Sequence, residues 1–190
     1  MSHPHPGNNS FDQRRLYGDL AWIWPLISPA EDYVEEAERI CQAIGRYARL
    51  PVRSLLDLGC GGGHNDAALK RHFSVTGVDI SPPMLSLAQS LNPEVSYLQG
   101  DMRSLRLEQR FDAVLIADSI DYMCSEEDLL AAFDTAFFHL KEGGVFITYA
   151  GAYTGEFSAE SHHRLHPPSG RSRDHLGGEP LRPGPFRHYL

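Results

Sequence analysis

The sequence predicts an α/β fold, a doubly wound parallel sheet with strand order 3-2-1-4-5. Three observations carry this. Short apolar runs alternate with segments of helical period from about residue 52 to residue 150. The runs are continuously apolar, as in AVLIA at 113–117, which marks strands covered on both faces. The first run ends in a cluster of glycines, as the strand-to-helix turns of ligand-binding open sheets do.

Taken in order, the elements read as follows. Residues 1–10 are polar, rich in Gly, Pro and Asn, and expected to be disordered. An aromatic segment comes next, broken by Pro25 and Pro29. A helix over Glu31–Tyr47 places Tyr33, Ala37, Ile40, Cys41 and Ile44 on one face. VRSLLDLG is the first strand, GHNDAALKRHF a helix, and VTGVDI the second strand. SPPMLSLAQSL is a helix with Ser81 as its N-cap and Pro82 in its first turn. VSYLQGD and FDAVLIAD are the third and fourth strands. Ser125, followed by three acids, starts the next helix. Its apolar stripe is Leu129, Phe133, Ala136, Phe137 and Leu140, and Lys141, Gly143 and Gly144 close it. GVFITYAG is the fifth strand. Right-handed crossovers and a reversal after the third strand give the order 3-2-1-4-5.

Composition changes after Phe157. Residues 157–190 hold five His, five Arg and five Pro with no Val or Ile, and supply no strand of the upstream kind. We expect a poorly structured tail there, of the composition that a GC-rich gene gives when read out of frame. Strand 5 is then an exposed sheet edge. The tail histidines, His162, His163, His166, His175 and His188, lack a metal-ligand spacing, so no metal is expected. The expected plan is therefore 1–10 disordered, 11–50 an aromatic lid and helix, 51–156 the sheet domain, and 157–190 the tail.

The charge balance of −8, with pI ≈ 5.6, argues against nucleic-acid affinity, which needs Lys and Arg to neutralise phosphates. No apolar run approaches the ~20 residues of a membrane span. The N-terminus has no apolar signal region, so a cytoplasmic protein is expected. Three widely spaced cysteines, Cys41, Cys60 and Cys124, read as reduced thiols.

The chemistry concentrates in LLDLGCGGG, residues 55–63. A strand ending in Asp57-x-Gly59-x-Gly61 leaves backbone open at the carboxyl edge of the sheet, where a ligand can approach. Twenty residues beyond Gly59 stands Asp79, an acceptor-only carboxylate suited to a pair of ribose hydroxyls. A dinucleotide fingerprint fails in both registers, because His64 or Asp66 occupies its third glycine position. A pyrophosphate would also face Asp57 and Asp66, whereas a ligand with a cationic amino acid end would not suffer.

Residues 55–63, GVDIS at 77–81, QGDMRSL at 99–105, FDAVLIADSIDYM at 111–123 and LKEGGVFITY at 140–149 resemble the successive motifs of class I S-adenosylmethionine-dependent methyltransferases. The resemblance implies a Rossmann-like domain with S-adenosyl-L-methionine as cofactor. Gly59 and Gly61 would line its methionine portion, with Asp57 beside them, and Asp79 would hold the ribose. Ile80 and Met84 would pack on the adenine, and Asp101 and Met102 would meet its edge. The segment Ala117–Ile120, with Asp118, would border the methionine and the methyl group. The aromatic segment with Tyr17, Asp19 and Trp22 looks like the lid of relatives that methylate small molecules, amino-sugar N-methyltransferases among them. Tyr17 is its expected cofactor contact. The implied partner is a small-molecule methyl acceptor, with a homodimer through the lid or the exposed sheet edge. No residue is identified as general base. The alternative is a truncated, inactive cofactor-binding remnant of such an enzyme.

Overall fold

Five strands pair in parallel in the order β3-β2-β1-β4-β5 in the computed structural model, which describes residues 15–149. β1 (Ser54–Leu58) is central, between β2 (Ser74–Asp79) and β4 (Phe111–Ile116). β3 (Ser96–Gln99) flanks β2, and β5 (Leu140–Thr148) flanks β4. The helices are α1 (Trp24–Ile27), α2 (Val34–Tyr47), α3 (His64–Leu69), α4 (Pro82–Leu91) and α5 (Glu126–His139). This is the predicted α/β fold and the predicted strand order. The readings for residues 1–10 and 157–190 lie outside the described residues.

Strand parity builds the two layers. Leu55, Ala113 and Leu115 point to one face and pack with Ala37, Ile40 and Ile44 of α2 and Leu69 of α3. Leu56, Leu58, Val114 and Ile116 point to the other and pack with Ala132 and Ala136 of α5. Both faces of β1 and β4 are thus covered, which is why these strands carry no alternating polar pattern.

The helix starts follow their caps. Ser81 Oγ accepts from Met84 N at 3.2 Å, and Ser125 Oγ accepts from Asp128 N at 3.1 Å. The predicted helix over 31–47 begins as a single 3-10 turn, Ala30–Tyr33, before α2.

Two expectations are corrected. Leu129, Phe133, Ala136 and Leu140 of the predicted α5 stripe pack in or against the core as expected, but the most buried face is Ala132, Thr135, Ala136 and His139, and Phe137 is 60% exposed. His139 joins the buried face with both ring nitrogens engaged: its Nε2 accepts from Leu107 N at 2.8 Å, leaving Nδ1–H to donate to Thr135 O at 2.7 Å. A fully satisfied neutral imidazole can occupy the core, and burial holds its pKa down. Residues 141–144 do not close α5 as a loop. The helix ends at His139 and β5 starts at once, with a register shift between Phe111↔Leu140 and Ala113↔Val145. Gly143, at φ 80°, and the close packing of Gly144 on the Asp112 carbonyl absorb the extra residues.

Asp112 ties the strand beginnings together. Its Oδ2 accepts from Arg53 N, Ser54 N and Ser54 Oγ, each at 2.9 Å, and its Oδ1 faces Lys141 Nζ at 2.8 Å. Burial alone would raise this carboxyl, but Lys141, the two amides and the Ser54 hydroxyl hold it well below the ordinary range. Its contribution is present at neutral pH and is lost as pH falls below the unfolded value of about 4. Asp112→Ala should lower the unfolding free energy by about 3 kcal/mol in urea denaturation. A loss under about 1 kcal/mol would show that water replaces these bonds freely.

Candidate functional site

At the carboxyl edge of β1 the chain turns sharply. The amides of Gly59 and Cys60 both donate to Val78 O, at 2.7 and 3.0 Å, so the turn is stitched to β2. Gly59, Gly61 and Gly63 take φ values of 82°, 52° and 74°, a left-handed backbone that costs other residues roughly 1–2 kcal/mol each. At Gly59 a side chain would also find no room, since a Cβ there would lie 2.3 Å from Ser119 Oγ.

Beside this turn lies a cavity of about 470 Å³, within the range that small-ligand sites occupy. All ten residues singled out in the sequence border it: Tyr17, Asp57, Gly59, Gly61, Asp79, Ile80, Met84, Asp101, Met102 and Asp118. They come from the lid, from the start of α4 and from the ends of β1 to β4, so the sheet topology brings all but Tyr17 together.

The acids differ in circumstance. Asp79 ends β2, with Oδ2 accepting from Gly61 N at 2.9 Å and Oδ1 from Ser81 N at 2.8 Å. Burial nevertheless leaves its pKa raised. Each oxygen retains a lone pair for a further donor. Asp101 is engaged by a neighbour: Arg103 Nη2 donates to its Oδ2 at 2.6 Å, and the Arg103 amide to its Oδ1 at 2.8 Å. Arg103 holds it below its usual range. A ligand donor at Asp101 would therefore share that carboxylate with a guanidinium, which the sequence did not reveal. Asp118 is raised by burial, then by the charges of Glu36 and Asp121.

Asp57 is enclosed, with one carboxylate oxygen lacking any partner. Burial, followed by the charge of buried Asp66, pushes it well up. Asn65, also buried at the cavity, donates to Glu36 Oε1 at 2.8 Å while its own Oδ1 has no partner. Buried polar atoms without partners at a cavity wall are what a polar ligand would satisfy.

The apolar side comes from Ile80, 59% exposed at the cavity, and from buried Met84. The lid is pinned by Ser81 Oγ, which donates to Tyr17 O at 2.5 Å, and by Tyr17 Oη and Tyr122 Oη at 2.7 Å. The aromatic ring that faces the cavity beside Tyr17 is Trp24, 5.3 Å from it between centroids. Trp22 is 63% exposed and Asp19 pairs outward with Arg15, so these two do not border the cavity. Sequence reading placed Ser119 at the site, within the segment 117–120, but also missed Tyr33, His64 and Asn65. Their only signal was adjacency to the motifs, because the turn and lid carry no period to read.

Among the described residues no group of His, Cys, Asp and Glu has the makings of a metal site, and no helix is long and apolar enough to cross a membrane.

A parallel sheet with this glycine turn, an acid ending β2 and a roofed cavity defines a nucleoside-cofactor domain of the methyltransferase type. Comparison with known proteins agrees. Residues 55–144 match the family described as "Methyltransferase domain". The chain is 36% identical over 134 residues to dTDP-3-amino-3,4,6-trideoxy-alpha-D-glucopyranose N,N-dimethyltransferase of Streptomyces venezuelae, covering 68% of this chain and 56% of the relative. It is 30% identical over 147 residues to dTDP-3-amino-3,6-dideoxy-alpha-D-glucopyranose N,N-dimethyltransferase of Streptomyces fradiae, covering 75% and 57%. Among solved structures it resembles Streptomyces venezuelae DesVI, with a TM-score of 0.67 at 30% identity over 74% of this chain and 61% of that one. It also resembles a SAM-bound amino pentose methyltransferase from Micromonospora echinaspora, with a TM-score of 0.64 at 27% identity, over 79% and 61%. Residues 55–144 thus carry the methyltransferase domain that these relatives share, and the chain spans a little over half the length of the curated ones.

The two central glycines should respond differently to substitution. Gly59→Ala adds the overlap with Ser119 to backbone strain and should cost about 2–4 kcal/mol in unfolding free energy. Gly61→Ala meets only Met84 Cε, 3.5 Å from the added Cβ, and should cost about 1 kcal/mol. Equal losses in the two variants would contradict the packing account.

Proposed function

We propose that the protein transfers the methyl group of S-adenosylmethionine to an amine on a small molecule, an amino sugar being the class that the relatives' names favour. The observation that carries this is the convergence of ten motif residues from five separate segments on one cavity wall. S-adenosylmethionine supplies a sulfonium methyl group that a lone pair can displace.

In this reading Asp79 holds the ribose through the lone pairs that Gly61 N and Ser81 N leave free. Gly59 and Gly61 present backbone to the methionine portion, with Asp57 beneath it. Ile80 and Met84 pack on the adenine, and Asp101 and Met102 border its edge. Tyr17, fixed by Ser81 and Tyr122, closes the site and excludes water. Positioning of this sort supplies several kcal/mol of a bimolecular barrier. Asp118 at the cavity, with the charges of Glu36 and Asp121 acting on it, favours a cationic ammonium as the incoming form of the acceptor. An ammonium has no lone pair, so a proton must leave before transfer. Asp118, whose pKa is raised, is suited to receive it.

A cytoplasmic location and a homodimer through the lid or the outer edge of β5 belong to the same proposal. They are supported by the reduced-thiol cysteine pattern and by β5 standing at the edge of the described sheet.

Calorimetry with S-adenosylhomocysteine tests the cofactor assignment. Asp79→Ala should weaken binding at least tenfold, since charge-assisted bonds contribute roughly 1.5–3 kcal/mol each. Unchanged affinity would remove Asp79 from the site. Methyl transfer to nucleotide-linked amino sugars, followed by mass spectrometry, tests the acceptor class. Transfer confined to hydroxyl acceptors would overturn it.

A further inference from the structure

Behind the cavity wall lies a second acid that none of the family motifs accounts for. Asp66 sits in the first turn of α3, completely buried, and accepts from Tyr97 Oη at 2.9 Å. Tyr97 Oη itself accepts from Asn92 Nδ2 at 2.9 Å, so the tyrosine proton is committed to Asp66. Asp57, on the end of β1, stands close enough to Asp66 for the two carboxyl groups to interact directly, and borders the cavity on its other side. One oxygen of each carboxylate is enclosed with no hydrogen-bond partner. Two carboxylates hydrogen-bonded to each other require a proton between them, because ionised carboxylates only accept.

The surroundings leave that proton nowhere else to go. Cys60 from the turn, Asp79 from β2, Asp118 after β4, and Glu36 and Tyr149 near the mouth are all neutral or negative. Among the described residues the cation that acts on Asp66 is Lys70, at the end of α3. It is tied to Glu94 at 2.8 Å and makes no hydrogen bond to either acid. Among the described residues no arginine is hydrogen-bonded to either acid.

We propose that Asp57 and Asp66 act as one shared-proton unit, and that a cationic ligand group arriving at Asp57 expels the proton to solvent. The inference rests on the cofactor reading above, in which the amino acid end of the ligand lies over the glycine turn. The step balances simply: the Asp57 O–H bond breaks, a proton leaves to water, and the ligand's positive charge takes its place against the carboxylate. Asp66 is then a positioning residue. It never touches the ligand, but it keeps Asp57 protonated and neutral until a cation is present. The empty cavity thus avoids two adjacent buried negative charges. Burial drives both acids upward in pKa, Asp66 to about 6, and the charge of Asp66 adds to the rise at Asp57, in agreement with this arrangement. A ligand with a cation is preferred over one without, and the preference grows as pH rises.

Titration calorimetry of the full chain with S-adenosylhomocysteine, repeated in buffers of different ionisation enthalpy, counts the protons released. The wild type should release a substantial fraction of a proton near pH 7 beyond that lost by the ligand itself. Its affinity should rise with pH by up to about tenfold per unit. Asp66→Asn leaves the shape of the site intact and should remove the excess release and flatten the pH profile. A merely structural role for Asp66 would alter affinity without altering the proton count. Infrared difference spectra of the wild type need no variant: the protonated-carboxyl stretch should disappear on binding. Binding with equal proton release in wild type and Asp66→Asn, or a carboxyl band that persists, overturns the shared proton while leaving the cofactor site standing. Absence of binding overturns both.

Discussion

The left-handed turn between β1 and α3 has to fit beneath side chains from three neighbouring segments, and the site depends on that fit. Ser119, after β4, lies over Gly59 and donates to Leu58 O at 3.1 Å. Tyr97 of β3 lies over Gly63 and also over Gly77, where a Cβ would stand 2.4 Å from its ring. Asn92, at the end of α4, donates to Gly63 O at 2.8 Å. Three glycines and three polar side chains therefore form one packed unit. Its outer surface is the cavity floor, and its position fixes where Asp57 and Asp79 stand. Rigid support of this kind is what holds a binding group to the tolerance that recognition requires.

The parts legible in the sequence were those governed by a period or a backbone requirement. The apolar runs of β1 and β4 read as doubly covered strands because both faces are in fact packed. Ser81 and Ser125 read as caps because an N-cap has a short-range chemistry of its own. Asp79 could be placed from spacing because it ends the strand beside β1. What failed depended on partners distant in sequence. Nothing in the sequence marked His139 as a core residue, because its burial depends on the hydrogen bonds from Leu107 and to Thr135. Arg103, two residues from Asp101, was visible, but nothing in the string said that it folds back on that acid rather than into solvent. Trp22 and Trp24 were indistinguishable by composition, and only the 3-10 turn at Ala21–Ile23 decides which one faces the cavity.

Charge gives the site its character. The cavity mouth and the space behind it collect Glu36, Asp57, Asp66, Asp79 and Asp118, while the arginine that borders the cavity, Arg103, is held by Asp101 and Asp128. That asymmetry explains why the glycine turn suits a nucleoside bearing a cationic amino acid better than a pyrophosphate, despite a fold that serves both. It also explains the presence of Tyr149 and Asn65 on Glu36, where two neutral donors satisfy a carboxylate without cancelling its charge. An amine acceptor is drawn by the same field that holds the cofactor's amino acid end, so binding and acceptor choice have one electrostatic origin in this account.

The central claim is that the cavity beside the β1 turn is the cofactor site. A crystal structure with S-adenosylhomocysteine tests it most directly. The account predicts ligand density across the carboxyl edge of β1, with the ribose hydroxyls within hydrogen-bonding distance of both Asp79 oxygens and the amino acid end over Gly59 and Gly61. Density lying elsewhere on the protein, with the cavity still closed by Tyr17 and Trp24, would contradict it.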